Sequence, residues 1–244
     1  MPADPIYPRL LPAGDTALVV ELGDAVDLAV NARVRALDRM LAAAAIPGVS
    51  ETLPTNRSLL VLYEPTVLGH AALVRAVERL LRDLPEHPED AGGRSWIVPV
   101  VYGGAHGIDL AHAAATLGLG EPELVARHAG REYRVFMIGF QPGFAYLGAL
   151  EPALAISRWD TPRPLIPAGT VSIAGSQTVV NSVAAPSGWM LIGRTPARLF
   201  DLRRAAPFLL EAGDRVRFRP VPADAWAALD ARAESGDPVA ERVW

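Results

Sequence analysis

Six residues in the second half of the chain carry polar groups that could hold a small acidic or amide ligand: Tyr146, Arg163, Gln177, Thr178, Arg194 and Thr195. Arginine keeps its charge at every physiological pH and offers a planar fork matched to carboxylate or phosphate. Arg163 and Arg194 each sit beside a proline in turn-rich sequence. Either could grip an acidic substrate or a carboxylated intermediate. The structural alternative is an ion pair, for instance Arg194 with Asp201. Gln177 and Thr178 follow I-A-G-S, and an amide beside a hydroxyl suits a small amide or lactam through paired donor and acceptor. The alternative there is a side chain satisfying a neighbouring turn. The run G-F-Q-P-G-F-A-Y-L-G, from Gly139 to Gly148, adds Phe140, Pro142 and Phe144, and Trp189 follows later. These four are candidate linings of a concave pocket, against the alternative that the rings fill a barrel interior. Tyr146 carries a polar tip that needs a partner wherever it is buried.

Other chemistries are excluded by composition. All 23 basic residues are arginine, and there is no cysteine. Phosphate loops that need lysine, Schiff bases, attached biotin, disulfides and thiol nucleophiles are therefore outside this chain's means. The five histidines, His70, His87, His106, His112 and His128, include no i, i+4 pair and no H-E-x-x-H, so no metal site is expected. His128, at the end of a short helical stretch, reads as a cap or packing residue. Ser176 and Ser187 lie outside any G-x-S-x-G. A formal net charge of −4 gives nucleic acid and anionic membranes no electrostatic footprint. No apolar run approaches the ~20 residues that span a bilayer, and a cytoplasmic protein is the expectation.

The elements that must position these residues fall into two groups. Residues 16–22 read as a strand, 27–44 as a helix, 49–53 and 59–63 as strands, a second helix starts at Pro65-Thr66, and 96–101 is a further strand. This β-α-β-β-α-β order is that of a split βαβ, ferredoxin-like unit. P-E-H-P-E-D-A-G-G-R, from Pro85 to Arg94, reads as a linker or long surface loop. Short helices follow at 109–117 and 121–128. From Tyr133 onward, glycine and proline punctuate short runs of β-branched and aromatic residues, the pattern of a compact β-barrel or sandwich. Residues 215–219 form a strand, and 222–235 a terminal helix with Trp226 and Leu229 packing back. The expectation is an α+β protein with domains at 1–92 and 93–244.

Three long motifs carry a resemblance: G-F-Q-P-G-F-A-Y-L-G, P-R-P-L-I-P-A-G-T-V-S-I-A-G-S-Q-T from Pro162, and I-G-R-T-P-A-R-L-F-D from Ile192. In this order they resemble the KipI/PxpB family, also called allophanate hydrolase subunit 1. That family is similar to the first half of the urea carboxylase carboxyltransferase domain. The resemblance runs over residues 10–221. It implies a small α/β N-terminal domain, ferredoxin-like in its element order, and a cyclophilin-like β-barrel C-terminal domain. It also implies a subunit of an ATP-dependent 5-oxoprolinase, inactive alone, working with a KipA/PxpC-like and a LamB/YcsF (PxpA)-like subunit to open 5-oxo-L-proline to glutamate. ATP would be bound by the complex and not by this chain. The alternatives are carboxyl transfer of the urea or allophanate type, and inhibition of a sensor histidine kinase as by KipI. Departures cluster in one region: the usual G-I-Y-P after Q-T is Val179-Val180-Asn181-Ser182, the usual S-P-G-G-W is Ala185-Pro186-Ser187-Gly188-Trp189, and Ser157 replaces a proline before Arg158.

Overall fold

A computed structural model describes residues 6–88 and 92–243. The chain forms two compact units, Met1–Ala91 and Gly92–Trp244.

The first unit contains β1 (Arg9–Pro12), β2 (Ala17–Glu21), α1 (Leu28–Ala44), β3 (Val49–Pro54), β4 (Ser58–Tyr63) and α2 (His70–Asp83). Its antiparallel sheet has the order β1-β2-β4-β3. Asp27 starts α1: its carboxylate accepts from the amides of Ala29 and Val30, at 2.8 and 3.1 Å, which supplies the partners that the first helical turn lacks. The second helix begins five residues later than Pro65. The Glu64 carboxylate takes the amide and hydroxyl of Thr66, while the amides of Val67 and Leu68 return to the Glu64 carbonyl. That local turn competes with helix. Leu73, Val77 and Leu84 then face α1 residues Val34, Leu37 and Leu41 across a core shared with Leu18, Val20, Leu59 and Val61.

The strand expected to complete this unit does not join it. Residues Ser95–Tyr102 form β5 in the second unit. The vacant place beside β2 is taken by the N-terminal Arg9–Pro12 strand.

The second unit continues with α3 (Leu110–Leu117), α4 (Glu121–Ala129), β6 (Glu132–Ile138), β7 (Ala145–Gly148), β8 (Arg163–Ile166), β9 (Thr170–Ala174), β10 (Gln177–Val180), β11 (Ala185–Ser187), β12 (Met190–Arg194), β13 (Arg215–Pro220), α5 (Trp226–Glu234) and β14 (Glu241–Arg242). Seven strands close a barrel in the order β12-β9-β10-β7-β6-β13-β5, and β5 pairs back to β12 through Gly193↔Tyr102 and Arg194↔Val101. β13 lies parallel to β5. Val98, Val100, Val135, Ala145, Leu147, Val171, Ile173, Val180, Ile192 and Val216 form part of one buried core. Strand alternation therefore turns Tyr146, Ser172, Val179 and Leu191 to the outside.

Those outward residues, Tyr146 excepted, are nevertheless buried. β10 and β12 both run antiparallel to β9, so the link between them must cross β9, and the filled interior leaves only the outer side. This link contains β11, which pairs with β8. Ile166 and Ala185, both buried, give this flap an apolar underside.

Candidate functional site

The outer face of β12-β9-β10-β7 carries Tyr146 and Arg194, two of the residues expected to do chemistry. Pairing aligns Leu191, Ser172, Val179 and Tyr146 in one row and sets Arg194 opposite Thr170 in the next. Phe140, Phe144, Tyr146 and Trp189 form one continuous aromatic run, with successive ring centres at 5.7, 4.7 and 6.4 Å. Phe144 is buried and Tyr146 half-buried, while Phe140 is 72% exposed at positive φ and Pro142 is exposed. The loop reaches this shape because Gly143 (φ +74°) packs against the Leu199 carbonyl and the Phe200 side chain, where a Cβ would sit 3.0–3.1 Å from both. Burial raises the Tyr146 pKa, so its hydroxyl is held as a donor. The rings therefore line the outer face and do not fill the barrel.

Arg194 sits on the same face, three strand spacings from Tyr146. Across the strands their backbones are roughly 14 Å apart. The Arg194 Nε donates to the Ala168 carbonyl at 2.8 Å, and its guanidinium lies 4.7 Å from the Trp226 ring centre. His106 packs on the same ring at 4.3 Å. The expected alternative partner of Arg194 is engaged elsewhere: Asp201 pairs with Arg203 at 2.7 Å, and Asp230 pairs with Arg198 at 2.7 Å. Among the described residues no carboxylate pairs with Arg194. Burial lowers its pKa. Burial and then the Arg194 charge lower that of His106.

The neighbouring Thr195 is fully buried and committed to the turn. Its amide donates to the Gly169 carbonyl at 2.8 Å, and its hydroxyl accepts from the Ala197 amide at 3.1 Å. Gly169 (φ +79°) is required there, since a Cβ would lie 2.1 Å from the Thr195 carbonyl oxygen.

Arg163 makes a partly buried ion pair with Asp109 at 2.6 Å, and the second Asp109 oxygen accepts the Leu191 amide at 2.9 Å. Gln177 is buried opposite Ala174 at the end of the β9–β10 hairpin. Thr178 points into the barrel. Its hydroxyl lies 2.9 Å from His128 Nε2 and donates to the Ser172 carbonyl at 3.0 Å. His128 Nδ1 is 2.8 Å from the Tyr102 hydroxyl, and the imidazole stacks on Phe218. Burial alone lowers its pKa to about 3. The residue read as a cap or packing group is therefore the centre of a buried polar network.

Sequence reasoning did not find His106, Asp109 and Trp159. His106 meets Trp226 across 120 residues, Asp109 meets Arg163 across 54 and Trp159 meets His112 across 47, and nothing local in Y-G-G-A-H-G-I-D or R-W-D signals the contact. A 470 Å³ cleft lined by His112, Thr116, Arg158, Trp159, Asp160 and Met190 opens beside these positions. No group of three or more acidic or histidine ligands is placed to hold a metal among the described residues. No helix there is long and apolar enough to cross a membrane.

The closed barrel and the sequence that builds it are those of a carboxyltransferase-type domain. The family described as carboxyltransferase domain, subdomain C and D, matches residues 8–210. The chain belongs to this family, and its relatives there include proteins named as subunits of 5-oxoprolinase. It is 44% identical over 209 residues to a 5-oxoprolinase subunit of Escherichia coli O157:H7, covering 85% of this chain and 93% of that one. It is 38% identical over 215 residues to the corresponding 5-oxoprolinase subunit of Bacillus subtilis (strain 168), covering 84% and 89%. The crystal structure of TTHA0988 is similar at TM-score 0.73 and 35% identity, covering 85% of this chain, and this chain spans 40% of that polypeptide. Urea carboxylase of Kluyveromyces lactis aligns at TM-score 0.78 over 96% of this chain and 24% of its own. At 17% identity, that likeness concerns the fold alone.

Proposed function

We propose that this chain is a subunit of an ATP-dependent 5-oxoprolinase. In this reading it works in the cytoplasm with KipA/PxpC-like and LamB/YcsF (PxpA)-like subunits, and opens 5-oxo-L-proline to L-glutamate only within that complex. The names of the relatives at 44% and 38% identity support the substrate. The observation that carries the chain's own role is Arg194, a half-buried guanidinium fixed by Ala168 and Trp226 with no carboxylate partner among the described residues. It suits the carboxylate of 5-oxoproline. The lactam is a stable amide whose opening needs its oxygen activated, and ATP bound by the complex would supply the phosphoryl group. The residues here would bind and orient the acid, with a neutral His106 beside it. The aromatic run at Tyr146, three strands away, would line another part of the assembled site.

Measuring 5-oxoproline-dependent ATP hydrolysis and glutamate release by the assembled complex, omitting each subunit in turn, tests this. Glutamate formation that disappears without this chain is the expected result. No activity from a folded, complete complex would refute the assignment and shift weight to another amide, to urea-type carboxyl transfer, or to kinase inhibition.

A further inference from the structure

We propose that Arg163 and Trp159 form a second ligand site, separate from Arg194, built for a small carboxylate.

Both residues present donors that lack acceptors. Arg163 Nη1 and Trp159 Nε1 are buried without a hydrogen-bond partner among the described residues. Each is donor-only, so neither can be satisfied by another donor. Asp109 leaves the second arm of Arg163 unpaired: one of its oxygens holds Nη2 at 2.6 Å and the other holds the Leu191 amide at 2.9 Å. The guanidinium is thus fixed, with one arm compensated and one arm waiting. Its central carbon lies 5.7 Å from the Trp159 ring centre, so the two unpaired donors belong to one packed pair of side chains. Buried donors without acceptors are rare because each forfeits its hydration.

Trp159 is itself anchored. Its amide donates to the Gly188 carbonyl at 2.6 Å, and His112 stacks on the ring at 4.6 Å and 25°. The ring forms part of the wall of the 470 Å³ cleft that also presents Arg158. That cleft is the side from which a ligand approaches the pair.

The donors define the class. One carboxylate, with an N–H···O bond of about 2.9 Å to each oxygen, bridges donors up to roughly 8 Å apart. Asp109 cancels one charge, and Arg158 and Asp160 offset one another at the entrance, so a monoanion suits the pair better than a phosphate or polyphosphate. Asp109 links Arg163 to the Leu191 amide, three residues along β12 from Arg194. The two guanidiniums hold different partners, Asp109 for Arg163 and the Ala168 carbonyl for Arg194.

The test is calorimetric titration of the full chain, with tryptophan fluorescence alongside, using acetate, L-glutamate, 5-oxoproline and inorganic phosphate as probes. The variants are Trp159→Phe, Arg163→Gln and Arg194→Ala. Trp159→Phe keeps the ring stack and deletes only the donor, so it reports even if Arg163→Gln is misfolded. The expected result is carboxylate binding that survives Arg194→Ala, weakens about tenfold in Trp159→Phe and changes the fluorescence of the parent chain. Which carboxylate binds tightest identifies the source of the ligand. Carboxylate affinity unchanged in Trp159→Phe, binding abolished by Arg194→Ala, or phosphate binding as well as the carboxylates would each overturn the proposal.

Discussion

His128 Nε2 lies 2.9 Å from the Thr178 hydroxyl inside the barrel, and this contact fixes the position of every proton around it. Thr178 donates to the Ser172 carbonyl, so it must accept from His128 Nε2–H. His128 Nδ1 is then left to accept from the Tyr102 hydroxyl at 2.8 Å. The imidazole is held as one neutral tautomer. Thr178→Val keeps the shape of the side chain but leaves Nε2–H without an acceptor. The expected cost is about 1–3 kcal/mol, read as a lower urea midpoint with an unchanged slope. A variant of full stability that has lost ligand binding would instead place Thr178 at the substrate.

The same histidine makes stability depend on pH. Its folded pKa of about 3 lies below the unfolded value near 6.5, so the unfolded chain binds the extra proton first. The contribution is complete above about pH 6.5 and is lost as pH falls toward 3, at roughly 1 kcal/mol per pH unit. Urea midpoints at pH 7, 6, 5 and 4 should fall more steeply for the parent chain than for His128→Gln. Parallel curves would show that the buried imidazole is not the group responsible.

Asp214 ties the start of β5 to the turn before β13. Almost fully buried, it accepts from Arg94 at 2.7 Å, the Trp96 indole at 3.1 Å, and the amides of Arg94 and Glu211 at 2.8 and 3.0 Å. Asp214→Asn removes the charge that faces Arg94 and turns one acceptor into a donor. Breaking a buried pair on one side costs on the order of 3 kcal/mol. Denaturant titration should show that loss, and a shift under about 0.5 kcal/mol would contradict it.

Local pattern made much of this legible. The apolar stripes of α1 and α2, the glycine stops after α3 and α4, and the short strands after Tyr133 are all visible in the sequence and present in the fold. Long-range pairing was not visible. Nothing in S-W-I-V-P-V-V-Y says that it pairs with Arg215–Pro220, some 120 residues on, and not with the preceding strands. The start of α2 was misplaced because Pro65-Thr66 imitates a helix start while the Glu64 carboxylate captures Thr66. At the site, arginine next to proline singled out Arg163 and Arg194. Their settings were not readable: Asp201 turns to Arg203, two residues away, and Asp109 reaches Arg163 from 54 residues away.

The most direct test of the account is the kinetics of Arg194→Ala in the assembled complex, with 5-oxoproline and with 2-pyrrolidinone, the same lactam without its carboxylate. No ion pair holds Arg194 among the described residues, so the variant should fold normally. The account predicts that kcat/KM for 5-oxoproline falls about a hundredfold, which is roughly the 3 kcal/mol of a lost charge-assisted pair. The poor activity on 2-pyrrolidinone should barely change. Equal losses on both lactams, or none on either, would show that Arg194 does not hold the substrate carboxylate.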